Sequence, residues 1–137
     1  MRSKQRASLF YLCFLSVAYI AFGGWVTLDN QGALSAMALG WSSDAGLFEL
    51  TSNYAGINLA VGLFCLYAIC RPALRAHAFF PPMIINAGYL LGRTVALVTV
   101  GAPSAAILAA AIFEAIGLSV SVLGYRFQTL ASQEDVV

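Results

Sequence analysis

Apolar residues dominate four stretches of the chain, and polar residues collect in the gaps between them. Ala7 to Leu28 carries no charge, and neither does Leu50 to Cys70. A third run extends from about Ala78 to Val100, and a fourth from about Ser104 to Tyr125. Each is close to the ~20 residues that cross a bilayer as a helix. The third run opens with Phe79, Phe80, Pro81 and Pro82, and proline in a first helical turn forgoes no hydrogen bond it would otherwise make. Gly101, Ala102 and Pro103 form a short turn that makes the third and fourth helices antiparallel neighbours. The pattern predicts an all-α fold, a four-transmembrane-helix bundle occupying residues 7–126, with spans at about 7–28, 50–70, 78–100 and 104–125.

Basic residues orient it. Lysine and arginine in short loops stay on the cytoplasmic side, and with four spans Arg2, Lys4, Arg6, Arg71, Arg75 and Arg126 all fall at one face. The 29–49 loop, at the other face, has no basic residue. A multi-pass inner-membrane protein is expected, with a basic cytoplasmic N-terminus at residues 1–6 and a cytoplasmic tail at 127–137. Three basic residues before an apolar run also suit a secretory signal, but the run exceeds the ~7–15 residues of a signal core, so a retained helix is expected. In the outer loop Leu34, Met37, Ala38 and Trp41 sit at helix-like spacing among Gln31, Ser35 and Ser42. This suits either a short interfacial helix, with Trp25 and Trp41 near the headgroups, or an ordered loop capping the bundle. Ser42, Ser43 and Asp44 offer acceptors for the start of the second helix.

Composition narrows the chemistry. Of 137 residues 61% are hydrophobic and 9% charged, against about 25% charged in ordinary soluble domains. A single histidine, His77, is too few for bis-imidazole haem ligation or for a multi-ligand metal shell within one chain, and it reads as an interfacial residue beside Arg75. Cys13, Cys65 and Cys70 form no CxxC pair; Cys65 and Cys70 read as buried apolar fillers. No phosphate-binding glycine fingerprint occurs, and a net charge of +1 supplies no footprint for nucleic acid. No cofactor and no metal are expected.

Two residues stand out by their cost. Arg93 falls inside the third span and Glu114 inside the fourth, and a charge at the bilayer centre costs ~2.5–3.5 kcal/mol on insertion scales, so such residues face the bundle interior and pair. At ~1.5 Å per residue from the shared turn, Arg93 lies about 12 Å deep and Glu114 about 16 Å. A direct pair follows. Glu49, with Asn53 one turn on, adds a second acid, and the face Glu49, Asn53, Gly56, Ala60 has helical spacing. The third helix repeats it through Asn86, Tyr89 or Leu90, Arg93 and Leu97, the fourth through Ala110, Glu114, Gly117, Ser121 and Gly124, and the first offers Ser16, Tyr19 and Gly23. The expected centre is an intramembrane polar cluster of Glu49, Asn53, Asn86, Tyr89, Arg93 and Glu114, with one cation between two acids. It is either a structural lock or a ligand, lipid or proton site. Gly23, Gly24, Gly56, Gly92, Gly117 and Gly124 read as packing contacts.

A glutamate opening span two (Glu49), then Tyr54 and Gly56, a Gly-Arg pair (Gly92, Arg93), a Gly-x-Pro turn (Gly101, Pro103) and an acid inside span four (Glu114) follow in order. Over about residues 45–126 this resembles a widespread family of small bacterial four-helix inner-membrane proteins of unknown function, distantly DoxX-like. The resemblance implies the same span count and singles out Glu49, Arg93 and Glu114. Thr51 and Val100 stand where relatives often carry an arginine and an acid, which implies a smaller charge network here.

Two functions are expected from these features. The first is a non-catalytic accessory or structural subunit of a larger inner-membrane complex, in helix–helix contact with another membrane subunit or with itself. Its basis is negligible mass outside the spans and abundant small residues. The second is a binder or carrier of a small amphipathic molecule, a lipid, quinone or isoprenoid, at the Arg/Glu site. An enzyme is the weaker reading, since no attacking group accompanies the acids.

Overall fold

The computed structural model describes residues 3–134, and every regular element in it is helical. Arg2 and residues 135–137 lie outside the described residues. Helix α1 spans Ser3–Leu28, and a short α2, Asn30–Ala36, follows directly. Helix α3, Asp44–Thr51, runs through a π turn at Ser52–Gly56 into α4, Ile57–Ile69. Two single 3-10 turns, Pro72–Leu74 and His77–Phe79, lead to α5, Phe80–Thr99, and α6 closes the chain at Ala105–Glu134. Three helical stretches are long and apolar enough to cross a membrane: Ser3–Leu28, Asp44–Ile69 and Ala105–Gln133. Helix α5 is not among them; Pro81, Pro82, Asn86 and Arg93 dilute its apolar character.

The helices overrun the expected spans at both ends. The second long helix begins at Asp44, six residues ahead of the apolar run at Leu50 and where Ser42, Ser43 and Asp44 offered acceptors for its start: the Ser43 hydroxyl accepts from the Gly46 N–H at 3.1 Å. The expected tail beyond Arg126 continues α6 to Glu134. It packs rather than trails: Ala131 is fully buried, Phe127 stacks on Tyr11, and the Ser8 hydroxyl donates to Gln128 Oε1 at 2.9 Å. Charge marks where a membrane would end, and a helix with no breaker continues past it.

Helix α1 is the centre of the fold, packing along α4 on one side and α6 on the other, while α5 lies chiefly on α6. Glycine sets the closest approaches. At Gly62 an added Cβ would meet Ile20 side chain and backbone at 2.7–2.8 Å, so α1 and α4 touch nearly backbone to backbone, and the Ser16 hydroxyl donates to the Gly62 carbonyl at 3.0 Å. Gly23 plays the same part against Leu59. At Gly124 on α6 a Cβ would collide with the ring of Phe79, a fully buried side chain. Gly24, Gly56 and Gly92 meet nothing within 4 Å, so the packing role expected of them is not found.

The main core lies at the end of the bundle that carries both helix termini and the 3-10 turns. Leu12, Leu15, Val61, Cys65, Ala68 and Phe79 close it. That end also carries Lys4, Arg6, Arg71, Arg75 and Arg126 beside the packed Ser8–Gln128 contact. Arg75 caps α4 by donating to the Ile69 carbonyl through Nη2 at 2.8 Å, and Arg71 lies 5.6 Å over the Tyr67 ring. Cys65 is buried as expected, but Cys70 is exposed, because α4 has ended at Ile69 and the chain turns outward. His77 is exposed at the same end, edge-on to Phe80.

At the opposite end α2 replaces the longer amphipathic run read from Leu34 to Trp41. The helix stops at Ala36, and Ala38 takes a positive φ of 57°. Asp29 starts it by accepting from the Gly32 N–H at 3.0 Å. Ala33 is fully buried against Val26 and Ala55, and Leu34 is fully buried beside it in sequence, so α2 is a lid on the bundle end.

Candidate functional site: a lateral cavity with a paired arginine

Helices α5 and α6 share the Gly101 turn, where φ is +108° and glycine meets no side-chain cost, and they run back beside one another. This brings Arg93 and Glu114 level. Arg93 Nε donates to Glu114 Oε2 and Nη2 to Oε1, both at 2.6 Å. Such a two-pronged, charge-assisted contact is among the stronger hydrogen-bonded pairs. The side chains keep 25% and 12% of their exposure, the guanidinium being the more accessible partner.

One turn and two turns below Arg93 on α5 lie Tyr89 and Asn86. Asn86 is buried and spends both amide hydrogens, one on the Tyr19 hydroxyl at 2.8 Å and one on the Pro82 carbonyl at 2.7 Å. The first bond ties α5 to α1. Gly117 on α6 leaves the room Asn86 occupies, since a Cβ there would sit 2.8 Å from Asn86 Nδ2.

The π turn delivers the fourth wall. Asn53 Nδ2 donates to the Glu49 carbonyl at 2.9 Å and Asn58 Nδ2 to the Tyr54 carbonyl at 2.6 Å, so two amide side chains serve carbonyls one turn back across the widened segment. Tyr54 points inward and stacks on Tyr89, with ring centroids 6.5 Å apart and planes within 4°. Phe22 meets Tyr54 edge-on, and Trp25 meets Phe22 edge-on, both in the favourable range for aromatic pairs.

These groups enclose a cavity of about 620 Å³ bounded by α1, the π turn, α5 and α6, within the ~300–1,000 Å³ of small-molecule sites. Its polar wall is Tyr19, Asn86, Tyr89, Arg93 and Glu114; its apolar walls include Phe14, Phe22, Trp25, Ala110 and Phe113; Met37 comes from the lid. Phe14, Trp25 and Phe113 also face the outside, Phe113 with 77% of its surface, so the cavity reaches the flank of the bundle.

Of the six cluster residues expected from sequence, the structure brings four together: Asn86, Tyr89, Arg93 and Glu114. Glu49 and Asn53 are apart from them. Both are exposed, and among the described residues the carboxylate partner of Arg93 is Glu114 alone. The face Glu49, Asn53, Gly56 and Ala60 is the outward one, whereas Ala55, Asn58, Val61, Gly62 and Cys65 turn inward. Glu49, the sixth residue of α3, is exposed and has no need of a buried partner. The cluster is therefore one cation with one acid, neutral rather than net negative. The aromatic wall of Phe22, Trp25 and Tyr54 was not anticipated; its signal is aromatic residues at helical spacing on α1 beside Tyr19. Among the described residues no group of three or more His, Cys, Asp or Glu side chains gathers to hold a metal.

Comparison of the chain with protein families, with curated proteins and with solved structures returns no match.

Proposed function

We propose that this is a four-span membrane protein that binds one small amphipathic molecule in its intramembrane cavity. The polar head lies against Arg93 and Glu114, and the apolar body lies along Phe14, Phe22, Trp25 and Phe113. The observation that carries this reading is the cavity itself. A pair serving only as a lock would sit in packed side chains, whereas this one borders about 620 Å³ of space with a largely apolar lining and an opening on the flank. In a membrane, that opening faces the phase in which amphipathic molecules are dissolved.

Topology belongs to the same proposal. Helix α5 is the third span in chain order and completes the four, its 20 residues giving about 30 Å of helix; the Arg93 charge is offset by Glu114 and the polar Asn86 by Tyr19. The basic end, with both termini, is cytoplasmic by the positive-inside rule, in the inner membrane of a bacterium, and the lid α2 lies on the outer side.

The test is mild detergent purification followed by native mass spectrometry. The expected result is a small molecule of defined mass bound one to one, lost in Ala110→Phe, whose ring fills the cavity. A membrane subunit retained in fixed stoichiometry, with no small molecule on either protein, would replace this reading with that of an accessory subunit.

A further inference from the structure

The chemistry of the cavity's polar wall selects its occupant. Arg93 carries five N–H donors; two are committed to Glu114, leaving three beside a charge that is already cancelled. The Tyr19 hydroxyl accepts from Asn86, so its own proton remains to be given. Tyr89 lines the same wall with a further hydroxyl. The amide hydrogens of Asn86 are both spent, so it adds no donor. The wall is therefore neutral in total and offers mostly donors.

An anionic head approaching Arg93 would place a second negative group beside the Glu114 carboxylate on one guanidinium, where water is scarce and like charges disfavour one another. An ammonium head would meet the Arg93 cation, and the Glu114 carboxylate already accepts from that cation through both of its oxygens. Neither charge finds an unpaired partner. A neutral head with ester, carbonyl or hydroxyl oxygens finds several donors and breaks nothing.

Resting on the cavity reading above, we propose that the ligand carries an uncharged, acceptor-rich head group on an apolar tail, and that the Arg93–Glu114 pair acts as a filter against charged lipids. Glu114 is then the specificity-determining residue: it cancels the cation that would otherwise capture phosphate or carboxylate.

Three probes sharing one oleoyl chain test this on the full chain in detergent, with binding read by native mass spectrometry: 1-monooleoylglycerol, oleoyl lysophosphatidate and oleylamine. In the unaltered protein monooleoylglycerol is expected to bind at least tenfold more tightly than either charged probe. In Glu114→Gln, which frees the guanidinium, lysophosphatidate is expected to gain at least tenfold and to become the preferred probe. Lysophosphatidate or oleylamine binding as well as monooleoylglycerol in the unaltered protein would overturn the filter while leaving the cavity in use, and this ranking needs no variant to fold. An unchanged ranking in a folded Glu114→Gln protein would overturn the assignment to Glu114. Failure of all three probes in the unaltered protein, with no native molecule retained, would remove the cavity reading itself.

Discussion

Removing the ion pair whole should cost less than the two single losses added together. Two hydrogen bonds to charged groups, at ~1.5–3 kcal/mol each, set a ceiling near ~3–6 kcal/mol, and removal of one member of a buried pair elsewhere costs ~3–5 kcal/mol. The exposure remaining to Arg93 and Glu114, 25% and 12%, lets either ion recover some solvation, which favours the lower end of that range. Arg93→Met leaves the less accessible carboxylate without its partner and should destabilise by about 3 kcal/mol. Glu114→Leu leaves the longer, more accessible guanidinium, which can extend toward the headgroups, and should cost about 2 kcal/mol. The double variant removes both charges, so its loss should fall well short of the sum, with a coupling of about 2 kcal/mol. The assay is reversible unfolding of delipidated protein in mixed micelles, followed by far-ultraviolet circular dichroism; delipidation matters because a bound ligand would stabilise the folded state on its own account. Losses that add to within ~0.5 kcal/mol, as for independent sites, would refute the view that Arg93 and Glu114 depend on each other inside the bundle.

Gly124→Val should destabilise by about 1–3 kcal/mol through overpacking, because its side chain would enter the space of the Phe79 ring; thermal unfolding should show partial recovery when Phe79→Leu is added, and no recovery would count against that contact. In a Cys13→Ala background, membrane-impermeant maleimide should label Cys70, which is exposed, and spare Cys65, which is buried with its thiol on the Ala78 carbonyl. Labelling of Cys70 in inverted but not in right-side-out vesicles is expected from the proposed orientation, and the reverse would invert it. Asn86→Leu should loosen α5 from α1 by removing the bond to Tyr19, read as faster amide exchange over α5 with α4 unchanged.

The part of the site that was legible in the sequence is the part fixed by connectivity. A short turn at Gly101 forces α5 and α6 together, and counting residues back from that turn places Arg93 and Glu114 at nearly one depth. The small residues Gly117, Ser121 and Gly124 mark the face of α6 that meets its neighbours for the same reason. The face of the second span was less readable. Its inward positions, Ala55, Asn58, Val61 and Gly62, differ little in polarity from the outward ones, and a lone carboxylate drew the reading to the wrong side. Glu49 is exposed and needs no ionic partner, whereas Glu114 keeps 12% of its side-chain exposure and is held by Arg93. The π turn left no periodic trace, since one widened turn in a uniformly apolar helix alters register without altering composition. The end of the last helix was misjudged where a charge was taken for a stop, since nothing between Arg126 and Glu134 breaks a helix; the start of the second was legible in its cap, Ser43, seven residues ahead of the apolar run at Leu50.

The closure of the bundle around Phe79 and Leu12, both fully buried, gives the molecule the form of a cup rather than a conduit. On the binding and topology proposed above, a molecule that enters at the flank beside Phe113 meets this packed base and leaves by the flank, so its exchange would stay within the monolayer that the flank faces.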